Sequence, residues 1–512
     1  MAALADFSAK EAPLPRSGPF RPAPRGTRRS YSRRGFLRAG ALGAGALAAP
    51  SLLAGCGDDG TAAVPPLEPG DDKWRRFAGT TINFISENTA PTAAIAANLQ
   101  PFTQLTGINV QIVNLELSAL VQRVALDLAS GDAAYQVIYA DPYQVLAPYS
   151  AGLVDLREFL EDDSYPPVEG GLDDFIAVQL DAAGRFSEDA PVYALPYDCP
   201  TMIWQYRQDL FDRYGNQMAD ALGHDVTPGP DRTWEEYYAI ADWLNQNADE
   251  VAYGSGHQAK QHDSLMNDFS NVLWAAGGDY FEAGQEVGLL GMEDPGECVL
   301  DSEESMAAAD FYASLLEIAH PASSTWDWDG VGAALRAGEI AMCPNWHEFA
   351  ASNEEALPGK ISYAPLPRGP ARAANMYGGC GIGISTNAEG AERGAAWLFV
   401  NWATSPEVQL SNLKSSAGGG TPTRRSVYAL EQVQQAETRP SDLPNMLTAD
   451  AVFTAWEPQN IGLRPKIPMW NECDTTIFTE LSKMIAGESS PSEAMTSAKS
   501  SIDSIVQRGW VA

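Results

Sequence analysis

Acidic, amide and aromatic side chains follow predicted strands, where they can bind a hydroxylated molecule. Glu87 and Asn88 come after one apolar, β-branched segment, and Asp141 and Tyr143 follow another. Carboxylates and amides hydrogen-bond hydroxyl groups, and aromatic rings cover the apolar C–H faces of a ring or chain. Further along the chain lies a second cluster of aromatic and acidic residues, formed by Trp326, Trp328 and Asp329. We expect both groups to contribute to one binding site.

Catalytic motifs are lacking in the sequence. It has no G-x-S-x-G nucleophile turn, no H-E-x-x-H zinc motif, no phosphate loop and no EF-hand loop. His347 and Glu348 are expected at the surface. Asp327 and Asp329 are a pair of acids of the kind that glycoside hydrolases use, so an exported glycoside hydrolase stays as an alternative. The sequence otherwise predicts no enzyme, no metal site and no cofactor.

Alternating strand and helix patterns precede these residues. Strands are predicted at 80–86, 108–115 and 137–140. The first intervening helix is expected to kink or restart at Pro101, and Ser118 is expected to cap the second. Such β-α-β-α-β order predicts an α/β fold with parallel strands and right-handed crossovers. Ligands of these sheets bind beyond the carboxyl ends of the strands, where Glu87 and Asp141 lie. Asp141 before Pro142 also fits a simple turn.

Length and charge restrict the partners. A chain of 512 residues is too long for one ordinary domain and predicts two lobes. The net charge is −34, but residues 1–55 contain nine basic and two acidic residues, so the remainder carries −41. A body this acidic should repel nucleic acid and anionic lipid surfaces. We therefore expect no nucleic-acid partner. We also expect a monomer.

The first 72 residues resemble an export signal followed by a tether. Ser32-Arg33-Arg34-Gly35-Phe36-Leu37 resembles a twin-arginine signal, and Leu53-Ala54-Gly55-Cys56 resembles a bacterial lipobox. We predict a signal peptide over 1–55, lipidation at Cys56 and a flexible tether over 56–72. The lipid would be the sole membrane attachment, which places the protein in the periplasm or on the outer face of the cell membrane.

The remaining cysteines leave the disulfide question open. None belongs to a C-x-x-C pair, which makes zinc and thioredoxin-like sites poor interpretations. One or two disulfides are compatible with an exported protein, and the pairing cannot be assigned from the sequence. The five residues are Cys199, Cys298, Cys343, Cys380 and Cys473.

In order and spacing, four segments resemble the extracellular solute-binding proteins of carbohydrate ABC importers, the maltose-binding-like group. The resemblance extends over about 400 residues. The segments run from Ser130-Gly131-Asp132 to Asp155-Leu156, from Tyr193-Ala194-Leu195-Pro196 to Trp234-Glu235-Glu236, from Ala333 to Trp346, and from Gly378-Gly379-Cys380-Gly381 to Ser405-Pro406-Glu407.

This resemblance implies a two-lobe periplasmic-binding-protein fold of type II, each lobe a mostly parallel sheet flanked by helices. The implied lobes are 73–197 plus 382–445 and 198–381 plus 446–512, with chain crossings near 195–202, near 380–384 and around 445. The implied function is reversible binding of a sugar, oligosaccharide or polyol for delivery to ABC importer permease subunits. A non-sugar solute such as a polyamine, peptide or glycerol phosphate derivative stays as the alternative.

The resemblance also extends the set of ligand-binding candidates. The added residues are Tyr197, Asp198, Asn345, Trp346, Gly379, Cys380 and Trp470. Trp346 and Trp470 also fit a hydrophobic core, Trp328 also fits a helix cap, and Asp198 also fits a hinge. Many members of the family carry an aromatic residue where this sequence has Cys380. The thiol therefore implies either a ligand that lies differently or a disulfide.

Overall fold

The computed structural model describes residues 72–415, 417 and 420–509, without the side chains of 286 and 287. The predicted signal peptide over 1–55, the lipidation site Cys56 and nearly all of the tether over 56–72 lie outside the described residues. Within the described residues no helix is both long and apolar enough to cross a membrane.

Two mixed sheets organise the chain. The first has five strands in the order β2-β1-β3-β10-β4, and the second has four in the order β6-β7-β5-β8. A short two-stranded pair, β9 with β11, lies beside them. The strands are β1 (Thr81–Glu87), β2 (Asn109–Leu115), β3 (Val137–Ala140), β4 (Ala194–Asp198), β5 (Met202–Arg207), β6 (Tyr253–Ser255), β7 (Ile340–Trp346), β8 (Ile361–Ala364), β9 (Asn375–Met376), β10 (Cys380–Ile384) and β11 (Ile461–Gly462).

Each large sheet is parallel except for one strand. In the first sheet β1 pairs in parallel with β2 and β3, while β10 is antiparallel to β3 and β4. In the second sheet β6 and β7 are parallel, and β5 is antiparallel to β7 and β8. The predicted α/β class with two mostly parallel sheets is confirmed.

Helices cover both sheets. Longer ones are amphipathic or buried, and several short turns connect them. The helices are α1 (Asp72–Arg75), α2 (Ala90–Ala97), α3 (Leu99–Thr106), α4 (Leu117–Ser130), α5 (Ala147–Tyr149), α6 (Arg157–Leu160), α7 (Ala177–Gly184), α8 (Gln208–Leu222), α9 (Trp234–Asn247), α10 (Asp263–Ala276), α11 (Glu286–Leu289), α12 (Glu303–Ile318), α13 (Trp328–Ala337), α14 (Ala350–Ala356), α15 (Gly390–Ala403), α16 (Pro406–Leu413), α17 (Arg425–Tyr428), α18 (Glu431–Gln434), α19 (Ala449–Ala455), α20 (Trp470–Ile485) and α21 (Pro491–Arg508).

Local capping chemistry explains several helix boundaries. The Thr233 hydroxyl accepts the Glu236 N–H, and the Glu236 carboxylate accepts the Thr233 N–H, which forms a capping box at the start of α9. Two boundary predictions are wrong. The first helical region breaks at Asn98 instead of Pro101, because Pro101 lies in the first turn of α3, where no N–H is needed. Helix α4 begins at Leu117, so Ser118 lies inside it.

The chain passes between the two sheets several times. It leaves the first sheet at the end of β4 and enters the second at β5, and it returns between β9 and β10. Further on, the Thr423 carbonyl accepts the Ile176 N–H beside α7, whereas Asn445 Oδ1 accepts the Ala351 N–H of α14. These contacts are consistent with a third passage between 423 and 445.

Two buried cations join the halves behind the crossings. Arg464 Nη2 donates to Asp141 Oδ2 over 3.2 Å. Lys466 Nζ donates to the carbonyls of Asp181 and Ala182, at 3.1 and 2.6 Å, in the last turns of α7, and both cations are nearly inaccessible to solvent. Carbonyls at a helix C-terminus favour a positive charge, whereas burial lowers the pKa of Lys466 to about 7. We call this pair of contacts the cation seam.

All five cysteines among the described residues are free and buried. The disulfide alternative for Cys380 is therefore not borne out in this structure. The Cys380 thiol packs beside Tyr139, within the core of the first sheet.

Candidate functional site

A cavity of about 270 Å³ lies between the two sheets. The first sheet contributes residues beyond the ends of β1, β3 and β4, and the second contributes α10, α13 and the turn after β7. The lining residues are Glu87, Asn88, Thr89, Ala90, Leu117, Tyr139, Asp141, Asp198, Pro200, Asp263, Asn267, Trp328, Asp329, Trp346, Glu348, Phe349, Ser352, Gly378, Ala417 and Arg464.

Asp141 begins the turn that follows β3. Its Oδ1 accepts the N–H groups of Tyr143 and Gln144, at 2.9 and 2.8 Å, and its Oδ2 accepts from Arg464. The Arg464 guanidinium lies over the ring of Tyr143, 4.2 Å from its centroid. Asp141 thus has both the turn role that its sequence position fits and a place in the cavity wall. Tyr143 packs its ring against the Arg464 guanidinium and does not itself line the cavity.

Glu87 ends β1 at the cavity. Burial raises its pKa to about 8, although a hydrogen bond from Tyr139 lowers it in part and the nearby Asp141 and Asp263 raise it further. A carboxyl group with this pKa is largely protonated at neutral pH. Glu87 can therefore both donate and accept hydrogen bonds there.

Asp198 and Glu348 form a carboxyl pair from opposite sides of the cavity. Asp198 ends β4 and accepts the Thr421 N–H over 2.6 Å, while Glu348 lies in the turn after β7. Burial raises the pKa of Glu348 well above its ordinary value, and the neighbouring Asp198 adds to that rise. Burial likewise raises the pKa of Asp198. Two touching carboxyls cannot both ionise in a dry site, so the pair holds a shared proton.

Aromatic rings form part of the second wall. Trp346 ends β7, and a Cβ added at Gly378 would lie 2.7 Å from its ring, so the glycine permits this close approach. Trp328 begins α13 and packs edge-on against His262, with ring centroids 4.8 Å apart. The helix cap is Asp327, whose Oδ1 accepts the Gly330 N–H, so Trp328 itself is not the cap.

The structure brings half of the predicted ligand-binding residues to the cavity and places the others in its surroundings. The predicted residues that line the cavity are Glu87, Asn88, Asp141, Asp198, Trp328, Asp329 and Trp346. Those that do not are Tyr143, Tyr197, Trp326, Asn345, Gly379, Cys380 and Trp470.

The residues outside the cavity have structural positions. Tyr197 packs its ring against Phe84, and Trp326 stacks on His320 with ring centroids 4.6 Å apart. Gly379 lies against the Tyr377 hydroxyl so closely that no side chain fits there. Trp470 lies in the hydrophobic core, the alternative position that its sequence context also fitted, and is fully buried against Tyr280.

Asn345 is a supporting residue. Its Oδ1 accepts the Trp346 N–H at 2.9 Å, and its Nδ2 donates to the Trp328 carbonyl at 3.1 Å. It therefore fixes the backbone of both cavity tryptophans although it is itself fully buried and outside the lining.

Several lining residues were missed by the sequence analysis. Arg464 lies in a segment with no helix or strand pattern, and no local signal indicates it. Glu348 was expected at the surface together with His347, but the turn folds between the sheets. His347 is buried with Nε2 2.6 Å from the Thr421 hydroxyl oxygen. Thr89, Tyr139, Asp263, Asn267, Phe349 and Ser352 complete the missed set of side chains with polar or aromatic groups.

Curated relatives cover most of the chain at low identity. A probable amino-acid ABC transporter periplasmic-binding protein of Sinorhizobium fredii is 23% identical over 467 residues, which is 90% of this chain and 94% of the relative. The erythritol/L-threitol-binding protein of Mycolicibacterium smegmatis is 24% identical over 407 residues, 74% of this chain and 78% of the relative.

Solved structures share the fold. An ABC transporter solute-binding protein from Agrobacterium radiobacter in complex with ribitol has a TM-score of 0.68 and 23% identity, covering 84% of this chain and 99% of that one. Maltose-bound MalE3 of T. maritima has a TM-score of 0.67 and 22% identity, covering 82% and 98%. Both agree with the predicted two-lobe architecture.

A family profile gives the decisive match. The profile of bacterial extracellular solute-binding proteins matches residues 86–410, more than half of the chain. The predicted family is thereby confirmed: the chain belongs to the bacterial extracellular solute-binding proteins.

Proposed function

We propose that the protein is the substrate-binding component of an ABC importer and reversibly binds a small polyhydroxylated solute, a sugar or polyol, in the cavity between its sheets. The observation that carries the proposal is the composition of that cavity. Carboxyls, amides and hydroxyls line it together with the rings of Trp328, Trp346 and Phe349. These groups match the hydroxyls and C–H faces of such a solute.

Similar proteins support this ligand class. The relatives and solved structures include binders of erythritol and L-threitol, mannitol, ribitol and maltose. The cavity volume of about 270 Å³ lies just below the roughly 300–1,000 Å³ of typical small-molecule sites. We therefore favour a single sugar unit or a linear polyol over a long oligosaccharide.

The proposed mechanism is closure of two lobes around the solute. The proposed lobes are 73–197 plus 382–445 and 198–381 plus 446–512, although the strands place Asp198, Cys380 and Gly381 on the first sheet. A solute that contacts both walls binds the closed state more tightly and shifts the population toward it. No bond in the solute is formed or broken.

The hydrolase alternative loses its predicted acid pair. Asp327 is outside the cavity lining, and its Oδ2 accepts from Lys260 Nζ over 2.7 Å while its Oδ1 caps α13. Only Asp329 of the two reaches the cavity. The structure thus gives no support to glycoside hydrolysis by this pair.

Export and anchoring belong to the same proposal. The protein would be lipidated at Cys56, held at the outer face of the cell membrane or in the periplasm, and monomeric, with separate permease subunits as partners. Mass spectrometry of the protein purified from membranes tests the anchor. A mature chain that lacks a lipid on Cys56 would contradict it.

A solute screen tests the binding function. A panel of sugars and polyols is tested by thermal shift, because a ligand that binds only the folded state raises the melting temperature. Hits are then titrated by calorimetry, and the recovered ligand is analysed by NMR. We expect at least one hit that is recovered unchanged. A panel without any hit, or a cleaved ligand, would contradict the proposal.

A further inference from the structure

The cavity has a large excess of acidic groups. Among the lining residues that the structure describes, Arg464 is the one cationic side chain, and it is already paired with Asp141. Lys260 and Arg336 lie nearby, outside the lining. Lys260 pairs with Asp327, and Arg336 lies over the Phe349 ring. The six lining acids are Glu87, Asp141, Asp198, Asp263, Asp329 and Glu348.

Five of these acids, all except Asp141, have no ion-pair partner among the described residues. Glu87, Asp198 and Glu348 come from three separate elements that converge on the cavity. Glu348 lies close enough to Asp198 and to Glu87 to feel the charge of both. Asp141, Asp263 and, at longer range, Arg464 also act on Glu87. The neutral polar groups that face the three acids include the Tyr139 hydroxyl, the Cys380 thiol and the N–H groups of Cys199 and Thr421.

An unpartnered acceptor accompanies the acids. Oδ1 of Asn267, a lining residue with 1% exposure, is shielded from solvent and has no hydrogen-bond partner among the described residues, while its Nδ2 donates to Asp263 Oδ2 over 2.8 Å. Buried polar atoms nearly always have partners, so this acceptor indicates a donor supplied by a guest.

An ammonium group fits this environment when its positive charge displaces the protons held by Glu87 and by the Asp198–Glu348 pair. It offers three N–H donors, a positive charge and no acceptor, whereas a hydroxyl offers one donor and two lone pairs. Hydrogen bonds between charged groups are also roughly twice as strong as those between neutral ones. The nearby ring of Trp346 can further stabilise a cation over its face.

We propose that the solute is a hydroxylated primary amine, an amino sugar or amino polyol, whose ammonium group is bound by Glu87, Asp198 and Glu348. The inference rests on the proposed function, since it specifies which polyhydroxylated solute the same cavity selects. The hydroxyl groups of the solute would extend toward Asp263 and Asn267.

Opposite pH dependences separate an amine from a neutral solute. Binding of an ammonium group requires ionised carboxyls, so affinity rises from pH 6 to 8 and protons are released on binding. A neutral polyol accepts hydrogen bonds from the protonated carboxyl of Glu87, so its affinity falls over the same range. The groups that face Glu87 are Tyr139, Asp141, Asp263, Glu348 and Arg464.

Matched ligands give the direct test. Calorimetry at pH 7.5 compares glucamine with glucitol, and glucosamine with glucose and N-acetylglucosamine, in buffers of different ionisation enthalpy. We expect the amine of at least one pair to bind roughly tenfold or more tightly, which is about 1.4 kcal/mol, with proton release. Glu348→Gln and Glu87→Gln should each abolish that preference, whereas Glu317→Gln, on the exposed face of α12, should keep it.

The outcomes are distinguishable. Neutral compounds that bind as tightly as their amines would overturn this inference and leave the proposed function standing. If no hydroxylated compound binds, with or without an amine, the proposed function itself fails. Putrescine that binds more tightly than every hydroxylated amine would overturn both, because hydroxyl recognition would then contribute nothing.

Discussion

Replacement of Arg464 by Met should destabilise the protein markedly, because it removes one partner of a buried ion pair. The Arg464 and Asp141 side chains are 3% and 6% exposed, and their charged atoms are 3.2 Å apart. An unpaired charge left in such a site costs about 3–5 kcal/mol. With an unfolding entropy of about 2.1 cal/mol/K per residue over roughly 440 residues, this corresponds to a fall in Tm of about 3–5 °C.

A double-mutant cycle identifies the cause. Asp141→Asn keeps an oxygen that can accept the N–H groups of Tyr143 and Gln144 but removes the charge. The double variant with Arg464→Met should lose about 1–2 kcal/mol less unfolding free energy than the sum of the two single variants, as measured by urea unfolding. Arg157→Met provides the matched control, because its pair with Asp155 is exposed and should contribute at most about 1 kcal/mol. A cost below about 1 kcal/mol for Arg464→Met, or additive effects, would refute the reasoning.

Three further results are expected. Trp346→Ala should weaken binding of a confirmed ligand about tenfold, as measured by calorimetry, because an aromatic wall of the cavity is lost. The control Trp326→Ala should change the Kd by less than about twofold, since that ring stacks on His320 outside the cavity lining. The pKa of Glu87 is about 8 in the folded state and 4.5 ordinarily, so its protonated carboxyl stabilises the fold fully below about pH 4.5 and loses this effect as the pH rises to 8. The free energy of unfolding of the wild type relative to Glu87→Gln should therefore fall by up to about 1.4 kcal/mol per pH unit in that window. A difference that does not change with pH would contradict the assignment. A mature chain lipidated at Cys56 should show slow thiol labelling when native and five reactive thiols after denaturation without reductant, and fewer than five would reveal a disulfide.

The local sequence could predict the alternation of strands and helices that places two site residues together. The β-α-β-α-β pattern places the ends of β1 and β3 at one edge of a parallel sheet, and Glu87 and Asp141 do line the same cavity. The capping box at Thr233 was equally local. Such features depend on neighbours within a few residues, and these are visible in the sequence.

Side-chain direction and distant partners were not predictable. Asn345 and Trp346 are successive residues of β7, and strand geometry points them to opposite faces, so a list of neighbouring candidates necessarily includes the wrong one. Tyr143 lies in the turn after Asp141 and points back toward Arg464. Arg464 itself is 323 residues from Asp141 along the chain, and only the third passage between the sheets brings them together.

The cation seam restricts the motion by which the two proposed lobes could separate. Arg464 and Lys466 are two residues apart, and both are buried against backbone or carboxylate of the first lobe. Separating Arg464 from Asp141 would leave an unpaired buried charge, and separating Lys466, whose pKa burial lowers to about 7, would leave its amine without hydrogen-bond partners. In the proposed closure, rotation about the seam would therefore cost less than displacement across it. In the proposed closure the seam would act as the pivot. Atoms beside it would then move little, and the cavity rim that carries Asn88 and Trp328 would move furthest.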